Sequence, residues 1–241
     1  MTASFFRITS LAVVGRAASD MSTGVICAIL ESGIRPAVVV LLPPDGDDAR
    51  SGDSATAAQS PATNLHQSLA QAGVQVIFPE TMNDDSTGRA IRGSLADAVL
   101  IADDSIEPGA LCNVAPAGLL SVSNAPLPNY RGAEPLLWAL YHDEPLWISA
   151  YLANGGAQTG PILGTRPVEV RAGDGMAEIL DHARRTCASL AAGVIKAALN
   201  GGCPCRPQCE WEGRAFTRPP SADILAEIAR RLAAREYSHY V

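Results

Sequence analysis

Positive charge and long apolar runs are what this 241-residue chain most lacks. Lys196 is its only lysine, acidic residues outnumber basic ones 25 to 18, and the formal charge is −7 with a pI near 5.1. Such a chain has no basic footprint for neutralising phosphates, so tRNA or DNA binding would lack its main electrostatic term and nucleic acid is not an expected partner. Hydrophobic residues make up 47% of the sequence, yet no apolar stretch reaches the roughly 18 to 20 residues that a membrane-spanning helix needs. A membrane partner is not expected either, and the composition reads as soluble and globular. The opening residues, MTASFFRITSLAVVG, hold one Arg and no small-x-small cleavage site. Residues 8–15 therefore read as a buried strand closing on a Gly turn rather than as a signal peptide, and a cytoplasmic location is expected.

Zinc-like cysteine spacing is also missing. Of the six cysteines, Cys27, Cys112 and Cys187 fall in apolar segments, where a thiol behaves as a small core hydrophobe. Cys203, Cys205 and Cys209 form C-x-C-x3-C in GGCPCRPQCEW, one ligand short of a zinc site and without its C-x2-4-C spacing. A reduced surface loop is the plainer reading, and a weak metal site the alternative.

What is present is an alternation of strand and helix patterns. Apolar residues at 8–15, helical spacing at 21–32 and the continuous run at 37–42 make a β-α-β unit. Residues 43–63 are small, polar and turn-rich, and read as a flexible loop. A helix near 65–72, a strand at 74–78, a helix at 86–93 and strands at 98–102 and 119–123 follow. A helix at 133–141 with Pro135 in its first turn, strands at 147–152 and 165–170, and a long helix at 175–199 complete the series. This order predicts an α/β fold with a Rossmann-like, mostly parallel sheet flanked by helices. The expected organisation is one domain over residues 1–202 and a C-terminal extension over 203–241, ending in a helix capped by Ser221.

The segment LLSVSNAPLPNYRG at 119–132, followed by ANGGAQTGPIL from Ala153, resembles the signature region of the folate-dependent formyltransferases. That family includes the enzymes acting on methionyl-tRNA, glycinamide ribonucleotide and sugar amines. Its pattern runs roughly N-I-H-x-S-L-L-P-x-Y-R-G and then D-T-G. Leu127-Pro128, Tyr130-Arg131-Gly132 and Thr159-Gly160-Pro161 match it in order and spacing, and ADAVLIADDSIEP is similar to the strand and turn that line the pterin site. The likeness spans residues 8 to 220 and implies the formyltransferase fold, with a short extension packing Trp211 and Phe216 against it.

The departures bear on chemistry. In the family, an Asn, a His two residues later and the Asp of D-T-G converge on the formyl group of 10-formyltetrahydrofolate, stabilise the oxyanion and move the proton. Ser121, Ser123 and Gln158 stand at those positions here. None titrates near neutral pH, so the resemblance implies that the standard acid–base work is lost and that 10-formyltetrahydrofolate is a cofactor only if the pterin cleft is retained. The serines read as small fillers that enlarge the pocket. Asn124 follows the His position, although adjacent strand residues point to opposite faces.

Other candidates are Asp103 and Asp104 in the turn after the pterin-lining strand, as a base or an amine- or metal-holding pair, and His142 beside Asp143; both sets also read as ordinary turn and surface residues. The resemblance implies that Tyr130, Arg131, Asn154 and Thr159 border the cleft, with Arg131 engaging an anionic group. Three readings stay open: a repurposed enzyme acting on a small amine-containing metabolite by acyl or one-carbon transfer or hydrolysis; a non-catalytic binding or regulatory homologue; and a weak 10-formyltetrahydrofolate-dependent N-formyltransferase. The chain stops before a second domain of the tRNA-gripping kind, so a small-molecule substrate is the expected partner, with a homodimer possible.

Overall fold

The structure, a computed structural model, describes residues 4–44, 61–80, 85–156, 158–209 and 211–241. Its centre is a seven-stranded sheet in the order β4-β3-β2-β5-β6-β8-β9. Three strands are short runs of aliphatic residues, β2 (Leu11–Arg16), β3 (Val38–Leu42) and β5 (Ala98–Ile101), buried on both faces as central parallel strands are. They pair in parallel with one another, with β4 (Val76–Ile77) at the edge and with β6 (Gly118–Ser123). β8 (Trp147–Ala153) and β9 (Ile162–Pro167) then run antiparallel.

Side-chain alternation assigns the two faces. Leu11, Val13, Val39, Leu41, Leu100, Leu120 and Val122 meet the larger core, under α1 (Asp20–Glu31), α2 (Pro61–Ala72) and the long α5 (Met176–Leu199). Ala12, Val14, Val40, Val99, Ile101 and Leu119 meet the smaller core, under α3 (Asp85–Gly93) and the turn at residues 106–115. Ser121 and Ser123 continue the line of Leu119 and so face the second layer.

Residues 203–241 are woven into this body. β10 (Cys203–Cys205) pairs antiparallel with β1 (Ser4–Phe6), and β11 (Arg214–Phe216) pairs in parallel with β7 (Tyr130–Gly132). Phe216 stacks on Trp138 of α4 (Pro135–Tyr141) with ring centroids 4.5 Å apart. α6 (Ala222–Ala233) starts at Ser221, whose hydroxyl accepts from the Ile224 N–H, and buries Ile228 and Leu232. Trp211, expected to pack, is 84% exposed at the tip of the preceding turn.

Other departures from the sequence reading have local causes. α2 begins at Pro61, because proline suits a first helical turn where no N–H is needed; the rest of the loop expected at 43–63 lies, over 45–60, outside the described residues. β9 starts three residues earlier than the expected strand and its pairing ends at Pro167, one position before the alternating Val168 and Val170. Those valines are buried without joining the ladder, and the Val168 N–H is held by the Leu146 carbonyl at 2.9 Å. Among the described residues no helix is long and apolar enough to cross a membrane.

Candidate active site

The carboxyl ends of β2 and β5 flank the point where strand order reverses, the usual ligand crevice of open α/β sheets. Here polar side chains fill it. Asp103, only 4% exposed, accepts from the hydroxyl of Ser19, from Ser22 Oγ at 3.0 Å, and from the N–H and hydroxyl of Ser105 at 3.0 and 2.6 Å. Arg16 reaches Ser105 Oγ at 3.1 Å and the Pro43 carbonyl at 2.8 Å. Asp103 is thus spent on tying α1 to the end of β5, contrary to the expectation that it holds a ligand.

The open space lies one strand further on. A cavity of about 310 Å³ is bordered by Asp104, Ser123, Asn124, Glu134, Gln158 and Pro219, among others. A neighbouring one of about 320 Å³ reaches past Asp104, Ser123 and Gln158 to Ile106, Pro108, Ser121 and Tyr151. Asp104, Ser123, Gly132 and Gln158 border both, so they mark the junction. Asp104 is reached by solvent from the cleft yet crowded by protein around it. That desolvation, with the charges of Asp103 and Glu134, pushes its carboxyl up to about 6.

Across the junction, Gln158 is held at both ends of its amide. Its Oε1 accepts from the Gly132 N–H at 2.9 Å, and its Nε2 donates to Ser123 Oγ at 2.9 Å. Gly132 sits at φ 92° against β11, where a Cβ would overlap the Phe216 carbonyl, and at Gly160 a Cβ would overlap the Leu152 carbonyl. Gln208 in the extension donates to the carbonyls of Gln158, at 2.9 Å, and of Gly160. Ser121, opposite Tyr151 in the ladder, hydrogen-bonds its hydroxyl, which burial holds in the neutral form by raising its pKa. The serines are therefore bonded members of the site and not only small fillers.

The fold that carries this site is shared with known proteins. Methionyl-tRNA formyltransferase of Acidothermus cellulolyticus is 30% identical over 182 residues, 75% of this chain and 54% of that protein. The chain belongs to the formyltransferase family. An N-formyltransferase from Helicobacter canadensis, solved in complex with folinic acid and dTDP-3-aminofucose, superposes with a TM-score of 0.59 at 12% identity, over 97% of this chain and 84% of that one. A formyltetrahydrofolate deformylase from Pseudomonas syringae pv. tomato gives 0.61 at 16% identity, over 80% and 62%. The two structures establish the fold. The chain spans about half the length of that Acidothermus relative, and no protein-family model matches it.

Other residues implied by the formyltransferase resemblance divide by location. Asn124 borders the first cavity, because β6 ends at Ser123 and strand alternation no longer governs the next residue. Arg131 is buried, and its guanidinium donates to the Glu212 carbonyl, so it clasps the extension instead of facing an anionic ligand. The Tyr130 hydroxyl meets His142 Nδ1 at 3.2 Å in an aromatic cluster with Trp138 and Phe216, and neither residue borders the two cavities. Burial and the charge of Arg214 lower the His142 pKa. Asn154 Oδ1 accepts from the Gly156 N–H at 3.2 Å and from Thr159 Oγ at 3.1 Å, shaping the loop that carries Gln158. Among the described residues no three His, Cys, Asp or Glu converge to hold a metal, the group of Cys203, Cys205 and Cys209 included.

Glu134, Tyr151 and Gln208 were not singled out from the sequence. Glu134 holds a left-handed backbone (φ 49°, ψ 50°) at the N-cap of α4 with no capping bond from its side chain, which keeps its carboxylate at the cavity rim. An acid directly before a helix-starting proline was the available signal.

Proposed function

We propose that this protein is an acyl-transferring enzyme on the formyltransferase scaffold, acting on a small amine, with Asp104 as its general base. The observation that carries this reading is Asp104, pushed up to about 6 at the junction of two cavities that it shares with Ser123 and Gln158. A base with a pKa near the working pH is both available and effective. The acidic rim of Asp104 and Glu134 favours a cationic acceptor.

The second cavity suits a flat heterocycle such as a reduced pterin. Its volume is within the range of small-molecule sites, and Ile106, Pro108, Tyr151 and the glycines at 155 and 156 would hold the ring. When bound, 10-formyltetrahydrofolate would supply an activated formyl carbon. The chain's own residues would do the rest. Glu134 and Asp104 would attract the acceptor as its ammonium, which loses one proton to solvent to become the free amine. As that nitrogen bonds to the acyl carbon and the bond from this carbon to the donor's nitrogen breaks, Asp104 would take the amine's second proton and pass it to the departing nitrogen, while Ser123 and Gln158 border the oxygen on which negative charge develops.

The test is titration calorimetry with 5-formyltetrahydrofolate, followed by incubation of 10-formyltetrahydrofolate with pools of small primary amines and mass analysis for a formylated product. Micromolar binding and an Asp104-dependent product would support the reading. Absence of folate binding would remove the donor from it. Binding without product would favour a non-catalytic homologue, a reading that draws on the neutral Ser123 and Gln158.

A further inference from the structure

We infer that Gln158 is a positioning residue that turns the hydroxyl proton of Ser123 into the cleft, making Ser123 a fixed, neutral hydrogen-bond donor. The argument follows from donor direction. A backbone N–H can only donate, so the group of Gln158 that meets the Gly132 N–H at 2.9 Å has to be its carbonyl oxygen. The amide is thereby locked against flipping, and the group 2.9 Å from Ser123 Oγ has to be its NH2. An NH2 can only donate. Ser123 Oγ is thus the acceptor in that bond, and its own proton points elsewhere. Ser123 is 1% exposed, and among the described residues no acceptor is found for that proton. The nearby hydroxyl of Ser149, its ladder partner, is already engaged with the Ala125 carbonyl and the Leu127 N–H. What remains in front of Ser123 is the pair of cavities it borders together with Asp104.

The lock reaches beyond the site. Gly132 is held by β11, and the backbone carbonyl of Gln158 accepts from Gln208 Nε2, so the C-terminal extension secures the backbone at both ends of the relay. The inference rests on the reading proposed above for what the donor would serve: the Ser123 O–H would bond to the acyl oxygen as negative charge grows there, with no proton transferred and no titration near neutral pH.

The first test needs no ligand. Neutron diffraction from deuterium-exchanged crystals is expected to place two deuterons on the Gln158 nitrogen, one directed at Ser123 Oγ, and the Ser123 deuteron towards the cleft. A Ser123 deuteron on the line to Gln158 overturns the inference. The second test uses Gln158→Glu, which keeps size and shape but offers two acceptors, so that at pH 8 the Ser123 proton turns back to the introduced carboxylate. Formyl transfer from 10-formyltetrahydrofolate should then fall by roughly a hundred-fold or more, as when one oxyanion donor is lost, and Ser123→Ala should fall equally. The deficit of Gln158→Glu relative to wild type should shrink as the pH drops and the carboxyl takes up a proton, whereas that of Ser123→Ala should not. A Gln158→Glu variant with wild-type rate and pH profile also overturns it. An oriented deuteron in a wild-type protein without transfer activity counts against the proposed function alone.

Discussion

Asp103 and Asp104 are adjacent in the chain and end up in opposite surroundings. Asp103 points into the crevice between β2 and β5, where hydroxyls from Ser19, Ser22 and Ser105 and one backbone N–H converge on it. Asp104 points into the space beside β6, where the strongest influences are desolvation and two other carboxylates, Asp103 and Glu134. What differs is the supply of donors. A buried carboxylate with four hydrogen bonds becomes part of the scaffold, while its neighbour, short of donors, is left with a raised pKa and a proton to exchange.

The largest expected effect separates the two by chemistry. Asp104→Asn should lower amine-dependent turnover by about a hundred- to ten-thousand-fold, the usual worth of a positioned base, measured as initial rates once an acceptor is found. In wild type the rate should climb with pH through about 6 as Asp104 loses its proton. A flat profile over that range would detach Asp104 from the chemistry.

The next effect separates them by stability. Asp103→Ala leaves the Ser19 and Ser22 hydroxyls without their acceptor, and chemical denaturation should show a loss of about 2 to 4 kcal/mol. Asp104→Asn should do the reverse. Its carboxyl is raised in the folded state, so the contribution to stability is full below the unfolded value, near 3.8, and is lost as pH rises through about 6. Removing the charge should therefore stabilise the protein at pH 8 and not at pH 3. Solvent reaches this group, so the gain should be about 1 kcal/mol, or about 2 to 4 °C in Tm for a chain of this size. Equal Tm changes for the two aspartates would erase the distinction. The smallest effect is that of Thr159→Val, which removes one bond to Asn154 in the loop bearing Gln158 and should cost about 0.5 to 1.5 kcal/mol.

The same contrast explains what could be read from the sequence. The aliphatic runs of β2, β3 and β5 and the apolar periodicity of α1 and α5 reflect burial, which acts locally and leaves a visible pattern. The glycines at 132 and 160 were legible as motif positions, and the structure supplies their reason in the carbonyls of Phe216 and Leu152. The roles of Asp103 and Arg131 were hidden, because their partners lie about eighty residues away in sequence. Val168 and Val170 misled for another reason: alternation reports burial, and burial does not require a ladder partner. Ser123 and Gln158 were legible as substitutions, but the direction of their hydrogen bond depends on the Gly132 N–H, which no residue identity announces.

The extension that pairs with β7 and reaches Gln158 through Gln208 has a consequence for the order of assembly. Every strand of the main sheet lies before residue 168, so the sheet can be complete before residues 203–220 join it. The cleft cannot be, since the backbone that orients Gln158 and Gly132 is secured by residues made later. During synthesis, the framework therefore precedes the site. Competence to bind should appear only when the extension has been released and has docked, which links the timing of any activity to the last part of the described fold to be woven in.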